Sequence, residues 1–174
     1  MWAPMVSRHP PLPHDPIDLA RSNWEQHGWG ESADGMALVT SIMRVQQVFL
    51  ARIEAILRPL GLTFARYEVL RLLAFSRRGA MPVGKIGERL QVHPASVTNA
   101  VQRLEADGLV RRAANPDDGR GVLAEITEHG RRLVDDCTEA LNSQVFSIVP
   151  IDAEQQQRAF TALREIRRAF GDFD

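Results

Sequence analysis

The 174 residues suit one compact domain with extensions, and 44% apolar with 25% charged residues is the balance of a folded soluble chain. The lone cysteine, Cys137, excludes an internal disulfide, no run reaches the roughly 18 apolar residues of a membrane helix, and the N-terminus has no basic-then-apolar leader, so a cytoplasmic protein is expected. The net charge of −1 argues against a polyanion partner for the whole chain, yet residues 66–120 hold ten Lys/Arg against six Asp/Glu, which makes that stretch +4 and the rest −5.

Residues 1–15 hold four of the ten prolines without a helical period and read as a disordered tail. Residues 16–28 predict a short helix, with Asp15 as N-cap, Pro16 at its first position and Gly28 or Gly30 at its end. A long helix follows over residues 34–58. Met36, Val39, Met43, Leu50, Ile53 and Leu57 form one apolar stripe on it, and Ile42, Val45, Phe49 and Ile56 a second, so it must bury two sides. Pro59-Leu60-Gly61 breaks it, and Thr63 caps a helix over residues 64–76. Residues 78–82 read as a turn with a short strand.

Two short helices with a tight joint come next, over residues 83–90 and 94–107, the second opened by Pro94 and ended by Gly108. Residues 109–113 and 122–126 read as two strands of a hairpin around the dense turn chemistry of residues 115–119. A helix over residues 127–149 is stopped by Pro150. Asp152 caps a last one, to about Phe170, with Phe160, Leu163, Ile166 and Phe170 on one face. No internal repeat is present.

The informative piece is helix, short turn, helix, hairpin, over residues 83–127. Ile86 and Leu90 are expected to point inward, Val92 to plug the turn, and Val97, Val101 and Leu104 to form a buried seam. The opposite face of the second helix offers Ala95, Ser96, Thr98, Asn99, Gln102 and Arg103. Such short or amide-bearing side chains let a helix approach the major groove of DNA, where Asn and Gln can bond the edge of adenine and Ser and Thr can bond bases or phosphates. An ordinary surface helix carries more Glu and Lys.

The residues resemble those of a known family. Residues 97–112, VTNAVQRLEADGLVRR, look like the recognition helix and first wing strand of MarR-type winged helix-turn-helix transcription regulators. Residues 118–127, DGRGVLAEIT, match that family's wing signature, an Asp-x-Arg followed six residues later by a Leu/Ile-Thr pair, and Thr63 with residues 67–70 resembles its second helix. The likeness covers about residues 34–170. It implies a mainly α fold in four segments: the tail 1–15, N-terminal dimerisation helices 16–60, a winged helix-turn-helix DNA-binding domain 61–127 and C-terminal dimerisation helices 128–174. It implies double-stranded DNA and a second copy of the chain as partners, no cofactor, no metal and no membrane.

In that likeness Ser96, Thr98, Asn99 and Gln102 face the bases, while Arg103 and Arg112 bond phosphates or other protein groups. The wing brings Arg120 to the minor groove, held there by Asp118. On the residues alone, Asp118 also fits a plain turn-former and Arg120 a solvated charge. Three departures stand out. Asn99 occupies a position that is often basic, His93 is a poor helix cap, and residues 93–120 balance four basic against four acidic side chains. Affinity is therefore expected to depend on a homodimer reading a pseudo-palindromic operator, as a repressor in the family manner.

Many such regulators release DNA on binding a small aromatic or organic acid. Trp24, Arg44, Arg66 and Tyr67 are the candidates here, as aromatic walls with guanidinium groups. The ligand arginines of the family's urate-responsive branch fall on Glu88 and Ala100, so urate is not carried over. Cys137, on an apolar helical stripe, reads as a buried structural thiol. No Gly-rich phosphate loop, Gly-x-Ser-x-Gly or Cys/His metal spacing is present, so no catalytic residue is expected. The rival to a DNA reader is a protein-binding winged helix, which would carry apolar residues where this chain has Ser96 to Gln102.

Overall fold

The structure is a computed structural model that describes residues 12–115 and 121–174. Helices α1 (Pro16–Gln26) and α2 (Gly30–Leu57) lead through a 3₁₀ turn (Arg58–Leu60) into α3 (Phe64–Phe75), β1 (Ala80–Pro82), α4 (Val83–Leu90) and α5 (Pro94–Ala106). The hairpin β2 (Val110–Ala114) and β3 (Val122–Ile126) follows, then α6 (Glu128–Gln144), a 3₁₀ turn (Phe146–Ile148) and α7 (Ala153–Ala169). The fold is the mainly helical winged helix-turn-helix expected from the sequence.

The caps act where the sequence puts them, each satisfying an orphan N–H of a first turn. Asp15 accepts from the Ile17 N–H, Thr63 from Arg66 and Thr127 from Gly130. Asp152 accepts from Gln155, whose side chain accepts the Asp152 N–H in return, a capping box. Gly61 ends the first 3₁₀ turn in the left-handed region at φ 79°, where a Cβ would be strained.

Two boundaries differ from expectation. α2 starts at Gly30 rather than residue 34, because only three residues join it to α1 and the Trp29 carbonyl takes the Ser32 N–H at 3.0 Å. The helix expected over residues 127–149 ends at Gln144, where Val145 leaves helical geometry (φ −134°) with its side chain buried.

The sheet is antiparallel in the order β1-β3-β2, with Met81 opposite Ala124 and Arg111 opposite Glu125. Leu70 and Leu73 of α3, Ile86 of α4, Val97, Val101 and Leu104 of α5, and Ala124 of β3 meet in one core, which continues into α6 through Val134, Cys137 and Leu141. Arg71 braces α3 to α6, donating to Asp135, Thr138 and the Val134 carbonyl, each at 2.7 Å.

α2 is the exception to this burial. Ala33, Ile53 and Leu57 are buried, but Leu38, Val39, Met43, Val45, Val48 and Leu50 are exposed. By length and composition the Gly30–Leu60 segment could cross a membrane, although its apolar residues form no unbroken run. Helix α7 likewise exposes Phe160 and Leu163 and buries none of its residues.

Two measurements test the packing. A Cβ on Gly130 would lie 2.2 Å from the Leu109 carbonyl oxygen, and backbone cannot yield as a flexible side chain can. Gly130→Ala is expected to cost about 1–3 kcal/mol and to lower the Tm by several degrees in a thermal melt. Glu68 on α3 is partly buried, and burial pushes its carboxyl above the usual carboxylate range. A carboxyl with a raised folded pKa favours the fold below its unfolded pKa, and that contribution is lost as pH rises through the folded value. Glu68→Gln should therefore raise the Tm at about pH 7 and leave it nearly unchanged at about pH 4, near the ordinary carboxylate pKa.

Candidate nucleic-acid interface

α5 is amphipathic in the way the spacing predicts. Val97, Val101 and Leu104 are buried, while Ala95, Ser96, Thr98, Asn99, Gln102 and Arg103 are all exposed. The joint before it differs in detail. Val92 is 41% exposed and does not plug the turn. The Val92 carbonyl and the Val97 side chain lie 3.4 Å from where a Cβ on Gly87 would be, so the backbone of the joint packs closely there, and Ile86 and Val97 supply its buried side chains. His93 is a better cap than expected, with its Nδ1 accepting the Ala95 N–H at 3.2 Å.

The polar face is partly pre-arranged. Arg103 Nε donates to Asn99 Oδ1 at 3.0 Å, one turn away, which leaves the Asn99 NH₂ as a donor pair. The Thr98 hydroxyl donates to the Pro94 carbonyl at 3.0 Å, so it has lone pairs and a methyl group to offer. Ser96 and Gln102 complete the exposed row. Arg112 is engaged within the chain: its Nε meets Glu105 Oε2 at 2.6 Å and its N–H meets Glu105 Oε1, joining β2 to α5. Asp118 and Arg120 lie outside the described residues. The last described rung before them is the Asn115 N–H donating to the Gly121 carbonyl at 3.0 Å.

Across the hairpin Arg111 and Glu125 form a surface pair with two hydrogen bonds. The bond to Arg111 draws the Glu125 carboxyl below its usual range, and the same bond pushes the Arg111 guanidinium up.

Motif reading missed two cations. Lys85 and Arg89 lie four residues apart on α4, both exposed and without a carboxylate partner among the described residues. The first helix of such a pair crosses the DNA backbone, so this spacing was the available signal. Between α4, α5 and the hairpin lies a cleft of about 850 Å³, with Arg78, Lys85, Glu88, Thr98 and Arg112 among its walls. On its far side the Gln91 amide, on a residue in the left-handed region at φ 53°, donates to the Asp172 carbonyl at 2.6 Å. The neighbouring Phe173 ring lies 5.3–5.6 Å from the guanidinium carbons of Arg164, Arg167 and Arg168.

None of the four effector candidates lines the cleft between α4, α5 and the hairpin. Trp24 meets Trp29 edge-on at 5.4 Å, and Arg44 reaches Gln47 at 3.4 Å. Arg66 is bonded to Asp107, Gly61 and Thr63, and the Tyr67 hydroxyl meets Thr138 at 3.0 Å. Cys137 is buried, and burial pushes its thiol pKa up, as suits a structural residue. Among the described residues no group of three or more His, Cys, Asp or Glu could hold a metal ion.

Known proteins share this arrangement. A sequence model of the MarR family matches residues 60–121. The solved structure of Sco5413, a MarR family transcriptional regulator from Streptomyces coelicolor, is 50% identical with a TM-score of 0.74, over 81% of this chain and 98% of that one. The HTH-type transcriptional repressor Rv2887 of Mycobacterium tuberculosis is 28% identical over 76% of this chain and 94% of its own. The fold is also that of Sco3205, a MarR family regulator of Streptomyces coelicolor solved in complex with DNA, at 23% identity and a TM-score of 0.70 over 79% of this chain and 88% of that one.

An exposed amide on such a helix face bears on base discrimination. Gln102→Ala is expected to weaken binding to the preferred duplex by about 1–3 kcal/mol while leaving binding to random duplex unchanged, as read by competition gel shift.

Proposed function

This chain belongs to the MarR family of DNA-binding transcription regulators, which are not enzymes, and from that premise we propose that it is a homodimeric repressor of a pseudo-palindromic operator. The observation that carries the reading is the face of α5. Its apolar side is anchored in the core, and Ser96, Asn99, Gln102 and Arg103 stand exposed beside the hairpin. In this reading those four, with Thr98, enter the major groove. Asp118 and Arg120 work at the wing, Arg120 entering the minor groove. Arg112 braces the wing against α5, and Lys85 and Arg89 meet phosphates.

The dimer is supported by the unburied apolar side chains of α2 and α7. Val39 is 56% exposed, Met43 57% and Phe160 59%, which is costly for a lone chain in water at about 25 cal/mol per Å². A second copy covers them, with residues 16–60 and 128–174 as the pairing segments and 61–127 as the reading head. The protein acts in the cytoplasm, where its DNA is.

Release by a small aromatic or organic acid completes the reading. All four candidates have partners within the chain, Trp24 with Trp29, Arg44 with Gln47, Arg66 with Asp107 and Gly61, and Tyr67 with Thr138, so a ligand that uses them must share or displace those contacts. The cleft beneath the hairpin, walled by Arg78, Lys85 and Arg112, offers cations and room for such an anion. Titrating aryl carboxylates against the preformed protein–DNA complex tests this step, and a complex that resists all of them ends it.

Gel shifts at rising salt on the DNA upstream of the protein's own gene test the main proposal, because counterion release makes binding fall steeply with salt. Arg120→Ala is expected to weaken operator binding by about 1–3 kcal/mol while the protein still sediments as a dimer. Wild-type operator affinity in that variant would refute the wing's role.

A further inference from the structure

Arg66 sits where two helices end. Its Nη2 donates to the Gly61 carbonyl at 2.9 Å, at the exit of α2 and its 3₁₀ turn, and its Nη1 meets Asp107 Oδ2 at 2.9 Å. Its Nε reaches the hydroxyl of Thr63, the cap of α3, at 3.4 Å. Asp107 is the C-cap of α5, where its own N–H bonds the Arg103 and Glu105 carbonyls. The Arg66 side chain is only 18% exposed, so the pair works in a partly dehydrated setting. Helix C-termini carry partial negative charge, and here one guanidinium is shared between two of them.

The other links across this region are less directed. Glu54 of α2 accepts the Phe64 N–H at 2.8 Å and fixes α3 to α2, but it does not touch α5. The apolar seam fixes how α5 is rotated, and Glu105 ties α5 to Arg112 of β2 rather than to α2. Among the described residues the Arg66 guanidinium is the polar group that bridges the end of the long helix directly to the end of α5.

We propose that Arg66 is a positioning residue for DNA recognition: by tying Gly61 to Asp107 it sets the angle between α2 and α5, and so the distance between the two recognition helices of a dimer. This rests on the homodimer reading above. Arg66 touches no base in this scheme. Its effect is on which half-site spacing the dimer accepts, since two heads held rigidly fit one spacing and loosened heads fit several.

The test uses the full chain and a duplex selected by the wild-type protein from a randomised pool. Arg66→Gln is compared with wild type on that duplex and on versions with one base pair inserted or removed between the half-sites. Asp107→Ala breaks the same bridge from its more exposed end and serves if the first variant folds poorly. Both variants are expected to lose on the order of tenfold in affinity for the selected duplex. They are also expected to lose most of the wild type's preference for its spacing, with the salt dependence unchanged.

Variants that melt lower but keep the wild-type spacing preference would overturn the proposal, since Arg66 would then be merely structural. A salt dependence reduced by about one ion would overturn it in favour of a direct phosphate contact. Sedimentation of the wild type separates the two layers: a dimer with spacing preference intact in both variants removes the brace alone, and a monomer removes the brace and the homodimer reading together.

Discussion

Val97, Val101 and Leu104 are held in the core at spacings of four and three, and this apolar seam fixes the rotation of α5 about its own axis. Successive residues on a helix are turned by about 100°. Slipping the seam by one residue would bury Thr98 and Gln102 and push Val97 into water. Each buried Leu or Val contributes about 1.5–3 kcal/mol relative to exposure, so such a slip forfeits much of the stability of an ordinary domain. The polar face toward DNA is thus a by-product of where the oily face must go. The hairpin serves the same end, because Arg112 and Glu105 lock its first strand to the helix it flanks.

The electrostatics are restrained. On the hairpin, Arg111 and Arg112 are both spoken for by Glu125 and Glu105, and on α3 Arg66 is spoken for by Asp107. Among the described residues, Lys85 and Arg89 of α4 and Arg103 of α5 have no carboxylate partner and are open to a polyanion, and the proposed role of Arg120 adds one more. A single head with few such cations binds weakly at physiological salt. Joining two heads converts the second contact into an intramolecular one, which raises avidity without new charge. In the proposed homodimer the unburied flank of α2 and the modest charge of the reading head become two sides of one design, with pairing supplying what the local field lacks.

Much of this was legible in the residues because it depends on local chemistry. Asp15, Thr63, Thr127 and Asp152 announced helix starts, Pro59-Leu60-Gly61 announced an end, and the turn chemistry of residues 115–119 between two apolar runs announced a hairpin. The family likeness supplied the order of the parts. What stayed hidden depended on neighbours distant in sequence. The exposure of Val92 depends on how the joint packs against Gly87 and Val97, residues that the pattern of the turn does not place. The His93 cap needs a particular ring orientation that no propensity describes. The pairing of Arg66 was hidden too, because nothing in the chain order says that Asp107, 41 residues on, would arrive beside it. The apolar surplus of α2 was visible, but composition by itself could not tell a helix that meets another protein copy from one that meets lipid.

The bond between the Gln91 amide and the Asp172 carbonyl brings the far end of α7 to the turn that introduces the recognition helix. A tag or reporter joined close to Asp174 would thus sit beside the proposed DNA-reading surface and crowd the operator, and a polyhistidine tag would add cationic character at mildly acidic pH to an end that already holds Arg164, Arg167 and Arg168. Labels for binding work belong elsewhere on the molecule.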